Sequence, residues 1–406
     1  MSTLLTGGAG GYALDYHRLL LKLGYNSFLI VKDSKKYSFE QVVQYPRENF
    51  KFIFAKFRRW FFRLLIDKFH FDSKYLFLNK LERINCYSAK TILNLLPQKP
   101  DVIIFYWNSG FVNSKLMNDL AKITDANIYI WLLDNAPLTG GCHYPWDCVG
   151  YQHNCGICPA ITNKFLKNRL AKFNLAFKVK YNLPSATIIS SSESDTNRLN
   201  KSTLFRFNSK VKILAYVDNE RFLPAHSKKP LREKYNISEH DKIIFFGVSN
   251  CDEKRKGINQ FVQALKYINT TNVVLLIAGN LDLSFKDVKA KCVGYVSEDD
   301  LIELYQVADV FLCPSLEDSG PLMINQSIMC GTPVVAFEMG VAMDLVLTGR
   351  TGYRAKLNDF KDFATGIDYV LSLDDSEYKK MSTECRELAL SLYGTAVIHE
   401  NTLKII

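Results

Sequence analysis

The chain has 406 residues, 48% hydrophobic and 23% charged, which excludes a disordered, collagen-like or coiled-coil protein and allows two domains of about 200 residues each. The net charge of +10 divides unevenly: residues 1–212 hold 30 Lys and Arg against 14 Asp and Glu, a net of +16, and residues 213–406 hold 21 against 27, a net of −6. No uncharged apolar run reaches the roughly 18 residues of a spanning helix, and the start, Met1–Gly8, has neither the basic nor the apolar stretch of a secretion signal. A basic front half points to an anionic partner such as a membrane surface, a lipid phosphate or a nucleic acid; a solvated basic face is the plainer alternative.

Gly8-Ala-Gly10-Gly11-Tyr-Ala13 fits G-x-G-x-x-A and is followed by a helical pattern through Leu23. Glycines let backbone approach phosphate, and a helix N-terminus attracts anions. Asp33 follows about twenty residues later, the spacing of a dinucleotide fingerprint, so an NAD-dependent oxidoreductase is one reading. Only six residues precede Gly7; the first strand is very short, or the true start is lost. Next, residues 51–69 interleave aromatic and basic side chains. At helical spacing Ile53, Phe57, Trp60, Phe61 and Leu64 share one face, and Lys56, Arg59 and Arg63 another. Such a helix lies in the interface of an anionic bilayer or packs on its own sheet with a solvated basic edge.

Val102–Phe105, Ile128–Trp131 and Thr187–Ile189 read as buried strands. Asp134 follows the second of these. Cys142, Cys148, Cys155 and Cys158, four of the ten cysteines, are spaced C-x5-C-x6-C-x2-C. Three readings stay open for them: a structural metal site, with zinc favoured over an iron–sulfur cluster, disulfides, or free thiols within a loop.

The charge changes sign near Lys212, where the domain boundary is expected. Beyond it, apolar runs at 242–246, 273–277, 310–312 and 334–337 read as strands, and Ile258–Asn269, Glu298–Val307 and Asp359–Leu371 as helices. This alternation is that of an α/β protein. Ala308–Phe337 runs strand, loop, helix, turn, strand. Pro321 suits the first helical turn and Gly331-Thr-Pro its end. Glu317 falls on the loop and Asn325 inside the helix. The N–H groups of Ser319, Gly320 and Leu322 are thereby placed to meet a diphosphate.

This last stretch resembles the signature of the family-four retaining glycosyltransferases, which use nucleotide-sugar donors and have the GT-B fold. Their mark is Glu-x7-Glu followed by Cys-Gly-Thr-Pro and a buried strand; Glu317 takes the first Glu position and Asn325 the second. Gly247–Gly257 resembles the family's phosphate-clamping loop, with Lys256 at its Lys and Arg255 in place of the upstream Arg. The Thr139–Tyr144 run resembles a subgroup that builds bacterial surface polysaccharides, of the colanic-acid type. Many of those have His before the residue matching Asp134; here it is Leu133.

The resemblance implies two Rossmann-like domains facing across a cleft: residues 1–212 for the acceptor, with a Cys-rich insertion at 139–160, and 213–390 for the nucleotide sugar. Residues 391–406 are expected as a helix returning to the first domain. It implies donor contacts from Gly10, Gly11, Arg255, Lys256, Ser319, Gly320, Pro321, Leu322 and Asn325, and catalytic roles for Glu317 and Asp134. The donor is of UDP or GDP type, the acceptor is a lipid-linked glycan, and catalysis needs no cofactor, so a zinc would be structural. The implied place is the cytoplasmic face of the plasma membrane; no nucleic-acid module is present. A non-catalytic glycan-binding or assembly protein is the rival reading, resting on Asn325, Leu133 and the abbreviated start.

Overall fold

The structure is a computed structural model and describes residues 1–405 apart from 6, 34–37, 47–49, 68–69, 107, 249–251 and 280–287. The chain forms two compact units. The first comprises Met1–Ser191, Asp195–Ile213 and the residues from Thr402 on; the second comprises Ser192–Ser194 and Leu214–Asn401.

The first unit holds strands β1 (Leu29–Val31), β2 (Val42–Gln44), β3 (Val102–Phe105), β4 (Asn127–Trp131), β5 (Thr187–Ser190) and β6 (Lys210–Lys212). They pair in parallel as β1-β2 and as β3-β4-β5-β6. Residues at the start of the chain stand where a leading strand would: Ser2 bridges Val31, the Ser2 N–H donates to Ile30 O, and the Tyr106 N–H donates to Met1 O. The short first strand is thus a bridge rather than a ladder. Helix Gly7–Lys22 follows it, and its Tyr12 and Tyr16 pack edge-on against Trp131, ring centroids 5.1 and 5.0 Å apart. At the other end of the chain, Thr402 exchanges a hydrogen bond with Tyr16.

The second unit is a six-stranded parallel sheet of β7 (Lys242–Gly247), β8 (Val273–Ala278), β9 (Lys289–Gly294), β10 (Val310–Cys313), β11 (Val334–Phe337) and β12 (Gly352–Ala355). Its order is β12-β11-β10-β7-β8-β9, the doubly wound arrangement in which strand order reverses beside the first strand. Ile243–Phe246, Val274–Ile277, β10 and β11 are buried almost completely, as a sheet covered on both faces requires.

Local chemistry sets the helix ends. Ser297 accepts from the Asp300 N–H at the head of helix Glu298–Val307, and three acidic residues fill its first turn. Asp359 caps helix Phe360–Leu371. The helix expected over Ile258–Asn269 stops at Leu265. The Asp368 carboxylate takes the N–H groups of Asn269 and Thr270, so that segment satisfies its backbone outside a helix.

Gly257 has φ +66°, and a Cβ there would lie 1.8 Å from the Pro314 carbonyl oxygen. Gly257→Ala is expected to destabilise the second unit by about 2 kcal/mol or more. A thermal melt should show a loss on the order of 4–8 °C.

Candidate functional site

In the second unit, strand order reverses between β7 and β10. At such a reversal the loops leaving the carboxyl ends of the two strands form the crevice in which α/β sheets take their ligands. The β7 loop ends in a single helical turn, Lys254–Lys256, closed by Gly257. The β10 loop carries Glu317–Pro321 and feeds helix Leu322–Met329. The two are tied by the Leu316 N–H, which donates to Arg255 O at 2.7 Å. A third loop, after β11, presses in at Gly340, where a Cβ would meet Asp318 O at 2.6 Å.

Arg255 and Lys256 both reach Asp318 Oδ2, at 2.5 and 2.9 Å. Arg255 also pairs with Glu253. Two cations and two carboxylates therefore balance at the mouth of the crevice. Burial pushes the Asp318 carboxyl up, but the Lys256 and Arg255 charges outweigh it and hold the group below the usual carboxylate range. Glu317 and Ser319 are buried beside them. Asn325, also buried, donates through Nδ2 to Ala215 O at 3.1 Å. Its backbone carbonyl accepts from the Tyr393 hydroxyl. Hence Arg255, Lys256, Glu317, Ser319, Gly320, Pro321, Leu322 and Asn325 lie on two adjoining loops and one helix. Ser249–Cys251, within the expected clamping loop, lie outside the described residues. Sequence reasoning missed Asp318; the signal was an acid next to Glu317 opposite a run of three cations.

In the first unit, Gly10 and Gly11 lie inside helix Gly7–Lys22 rather than in a loop before it. A Cβ at Gly10 would sit 2.7 Å from Leu4 O, whereas at Gly11 the space is open. Gly10 thus allows close helix-to-backbone packing. Asp134, just past β4, has both oxygens engaged: Oδ1 accepts from the Ala136 N–H at 2.6 Å, and Oδ2 from His143 Nδ1 at 2.9 Å. His143 Nε2 lies 3.0 Å from Ser109 Oγ. Neither His143 nor Ser109 stood out in the sequence, since the three residues approach only through folding.

Cys142, Cys148, Cys155 and Cys158 all line one small pocket with Tyr75 and Tyr151. The zinc expectation is not met by their arrangement: among the described residues no group of three or more His, Cys, Asp or Glu side chains is placed to hold a metal ion. The described cysteines, these four included, form no disulfide. Burial pushes the Cys155 thiol up to about 11 and Cys158 to about 12, and raises Cys142 as well.

Residues 227–388 match the family described as Glycosyl transferases group 1. That stretch of the second unit is similar to the group 1 glycosyltransferase domain. The crevice lies within that domain. Over 183 residues the chain is 27% identical to the Escherichia coli UDP-Gal:alpha-D-GlcNAc-diphosphoundecaprenol alpha-1,3-galactosyltransferase, covering 42% of this chain and 46% of the relative. Over 229 residues it is 26% identical to the Staphylococcus aureus capsular polysaccharide biosynthesis glycosyltransferase CapM, covering 52% and 59%. The chain thus matches about half the length of these relatives. Among solved structures it is similar to Anabaena HepE in complex with UDP and glucose, with TM-score 0.63, 15% identity, and coverage of 100% of this chain and 98% of that one. This likeness shows the fold, which is GT-B.

The Asp318 carboxyl titrates below its unfolded value. Its contribution to stability is therefore complete above about pH 5 and is lost as pH falls through the lowered native value. Asp318→Asn should flatten the acid limb of the stability–pH curve, read by urea unfolding between pH 3 and 6. An unchanged limb would mean that the pair with Lys256 and Arg255 contributes nothing to folding.

Proposed function

We infer that the protein is a retaining glycosyltransferase of polysaccharide biosynthesis, moving a sugar from a nucleotide-diphosphate sugar to a lipid-linked glycan. The observation that carries this reading is the meeting of Arg255 and Lys256 with the Glu317–Leu322 loop at the strand-order reversal of a group 1 domain. The name of the E. coli relative supplies the lipid-diphosphate acceptor and a UDP sugar. The HepE complex supplies UDP. A GDP sugar is the other donor to test.

Each residue then has a task. Lys256 and Arg255 turn from Asp318 to the leaving diphosphate and stabilise its charge as the glycosidic bond breaks. The Ser319–Leu322 backbone, leading into the helix, faces the same anion. Glu317 holds donor-sugar hydroxyls. Asn325 meets the ribose as a neutral group, a weaker partner than a carboxylate. The departing diphosphate takes the proton of the incoming hydroxyl on the face it leaves, which preserves the anomeric configuration. Positioning and charge stabilisation carry the rate, with no cofactor.

Melting the protein with UDP, GDP and ADP should show one nucleotide raising the transition by mass action. Lys256→Ala and Glu317→Ala should each lower transfer by about 10²–10³, as loss of one transition-state contact does, in protein that melts still show to be folded at the assay temperature. Turnover near wild type in both variants would remove the site assignment.

Access to a lipid-linked acceptor draws on helix Phe50–Asp67. Phe57, Trp60, Phe61, Phe62, Leu64 and Leu65 are all exposed on it. Of the expected basic face, Arg59 instead donates to Ile84 O, and Arg63 pairs with Asp67. The side chain of Ile53 lies outside the described residues. Lys56 and Arg58 are exposed. We assign this helix to the interface of an anionic bilayer, each basic residue adding about 1 kcal/mol. Among the described residues no helix is long and apolar enough to cross a membrane. Binding to phosphatidylglycerol vesicles should blue-shift tryptophan emission, weaken with salt, and drop when Lys56, Arg58 and Arg63 become Gln. Salt-independent binding, or none, would return the helix to a purely structural role.

A further inference from the structure

The Asp134–His143–Ser109 chain is a buried polar chain of the first unit that the proposed function leaves without a task. Asp134 and His143 are buried, with exposures of 5% and 0%. An ionised carboxylate only accepts hydrogen bonds, so Asp134 Oδ2 fixes the His143 proton on Nδ1. With the imidazole neutral, Nε2 presents a lone pair, and the Ser109 hydroxyl at 3.0 Å donates to it. With its proton committed, Ser109 Oγ offers only lone pairs, and it becomes a dedicated acceptor for a hydroxyl or amide donor.

Ser109 and Asp134 lie just beyond the carboxyl ends of the adjacent strands β3 and β4, where an α/β sheet takes its ligands. Both line one cavity of about 50 Å³ with Asn79, Asn108 and Lys178. At roughly 10–15 Å³ per water, this volume takes the edge of one sugar ring and no more. Two of the residues that line it carry unanswered polar atoms. Among the described residues, both polar atoms of the Asn108 side chain and Oδ1 of Asn79 are buried without a hydrogen-bond partner. Leaving buried amides unpaired is costly, and a donor-and-acceptor ligand relieves it. The charged neighbours are already engaged: the Asp134 oxygens as above, Glu82 Oε1 by the Ser114 N–H and hydroxyl at 3.1 and 2.9 Å, and the Lys178 ammonium on Ala136 O and Thr139 O, at 2.6 and 3.0 Å. The cavity is therefore matched to a neutral polyhydroxyl group rather than to an ion.

We propose that Ser109, with Asn108 and Asn79 beside it, binds one sugar ring of the acceptor through its hydroxyls, and that His143 and Asp134 are positioning residues that set the Ser109 hydroxyl as an acceptor. The inference rests on the transferase reading for the identity of the ligand as a sugar; the pocket chemistry stands on its own.

The test is direct binding. The methyl α-glycosides of glucose, galactose, mannose and N-acetylglucosamine are titrated by saturation-transfer NMR into the full chain and into Ser109→Ala, Ser109→Thr and Asn108→Ala. At least one glycoside should bind the wild type, about tenfold more weakly to Ser109→Ala and Asn108→Ala, with Ser109→Thr recovering most of the loss. The Asn108 side chain has no partner to lose, so that variant should melt no lower than the wild type. In ¹⁵N spectra, His143 should show Nδ1 protonated, and its Nε2 signal should move on glycoside binding in the wild type but not in Ser109→Ala. No binding of any of the glycosides, or binding indifferent to both alanine variants, overturns the proposal. UDP and GDP titrated into the same samples report on the second unit, so a failed nucleotide reading is seen separately.

Discussion

The candidate donor crevice depends on one close approach. Gly257 packs so tightly on the Pro314 carbonyl that no side chain fits, and this closeness brings the Lys254–Lys256 turn onto the loop leaving β10. Without it Arg255 and Lys256 would not reach Asp318, and the Leu316 N–H would lose the Arg255 carbonyl. The left-handed conformation and the missing Cβ are both required, which only glycine supplies. The doubly wound strand order does the rest, because it leaves the carboxyl ends of β7 and β10 uncovered at the same point.

The interior of both sheets was legible in the sequence, and the margins were not. β3, β4, β5, β7, β8, β10 and β11 are read from their apolar runs, since strands covered on both faces must be apolar throughout. The strands that escaped include β2, β6, β9 and β12, each at the edge of a sheet. Lys210-Val-Lys212 and Lys289–Gly294 carry the charges that edges tolerate. The Glu317–Asn325 stretch was legible because loop and helix are contiguous in the chain. Asp318 was overlooked because its partners lie more than sixty residues upstream. His143 and Ser109 were hidden because only the folded turn after β4 brings the imidazole back between Asp134 and a serine 34 residues upstream. The cysteine spacing correctly gathered four thiols in one place, but spacing alone does not set the directions of their sulfurs.

The Thr139-Gly140-Gly141 run acquires a physical meaning from His143. The chain must turn back sharply after β4 to bring the imidazole onto Asp134. A Cβ at Gly140 would strike Ala171 O at 2.3 Å, and one at Gly141 the Phe77 ring at 2.5 Å. The Thr139 hydroxyl donates to Cys142 O and accepts from the Gly141 N–H, closing the turn. The backbone of His143 is held on both sides, its N–H between Tyr75 O and Leu76 O and its carbonyl by the Asn135 N–H. A motif that reads as a family mark is, locally, the device that fixes one ring.

Both units treat charge in the same way. At the crevice, Asp318 and Glu253 neutralise Arg255 and Lys256; beneath the Ser109 cavity, Asp134 and Lys178 are spent on a histidine and on backbone groups. An unpaired buried charge would cost several kcal/mol, so each must be answered in the free protein. The two arrangements differ in what a ligand can take over. The Asp318 pairs are side-chain contacts, and a diphosphate can replace that carboxylate with its own oxygens while the cations stay charged. The Asp134 and Lys178 contacts involve a clamped ring and fixed carbonyls, which no ligand displaces. The first pattern suits a group whose charge changes during a reaction, since cations held ready need little reorganisation. The second suits recognition of a neutral partner, where orientation rather than charge decides what fits.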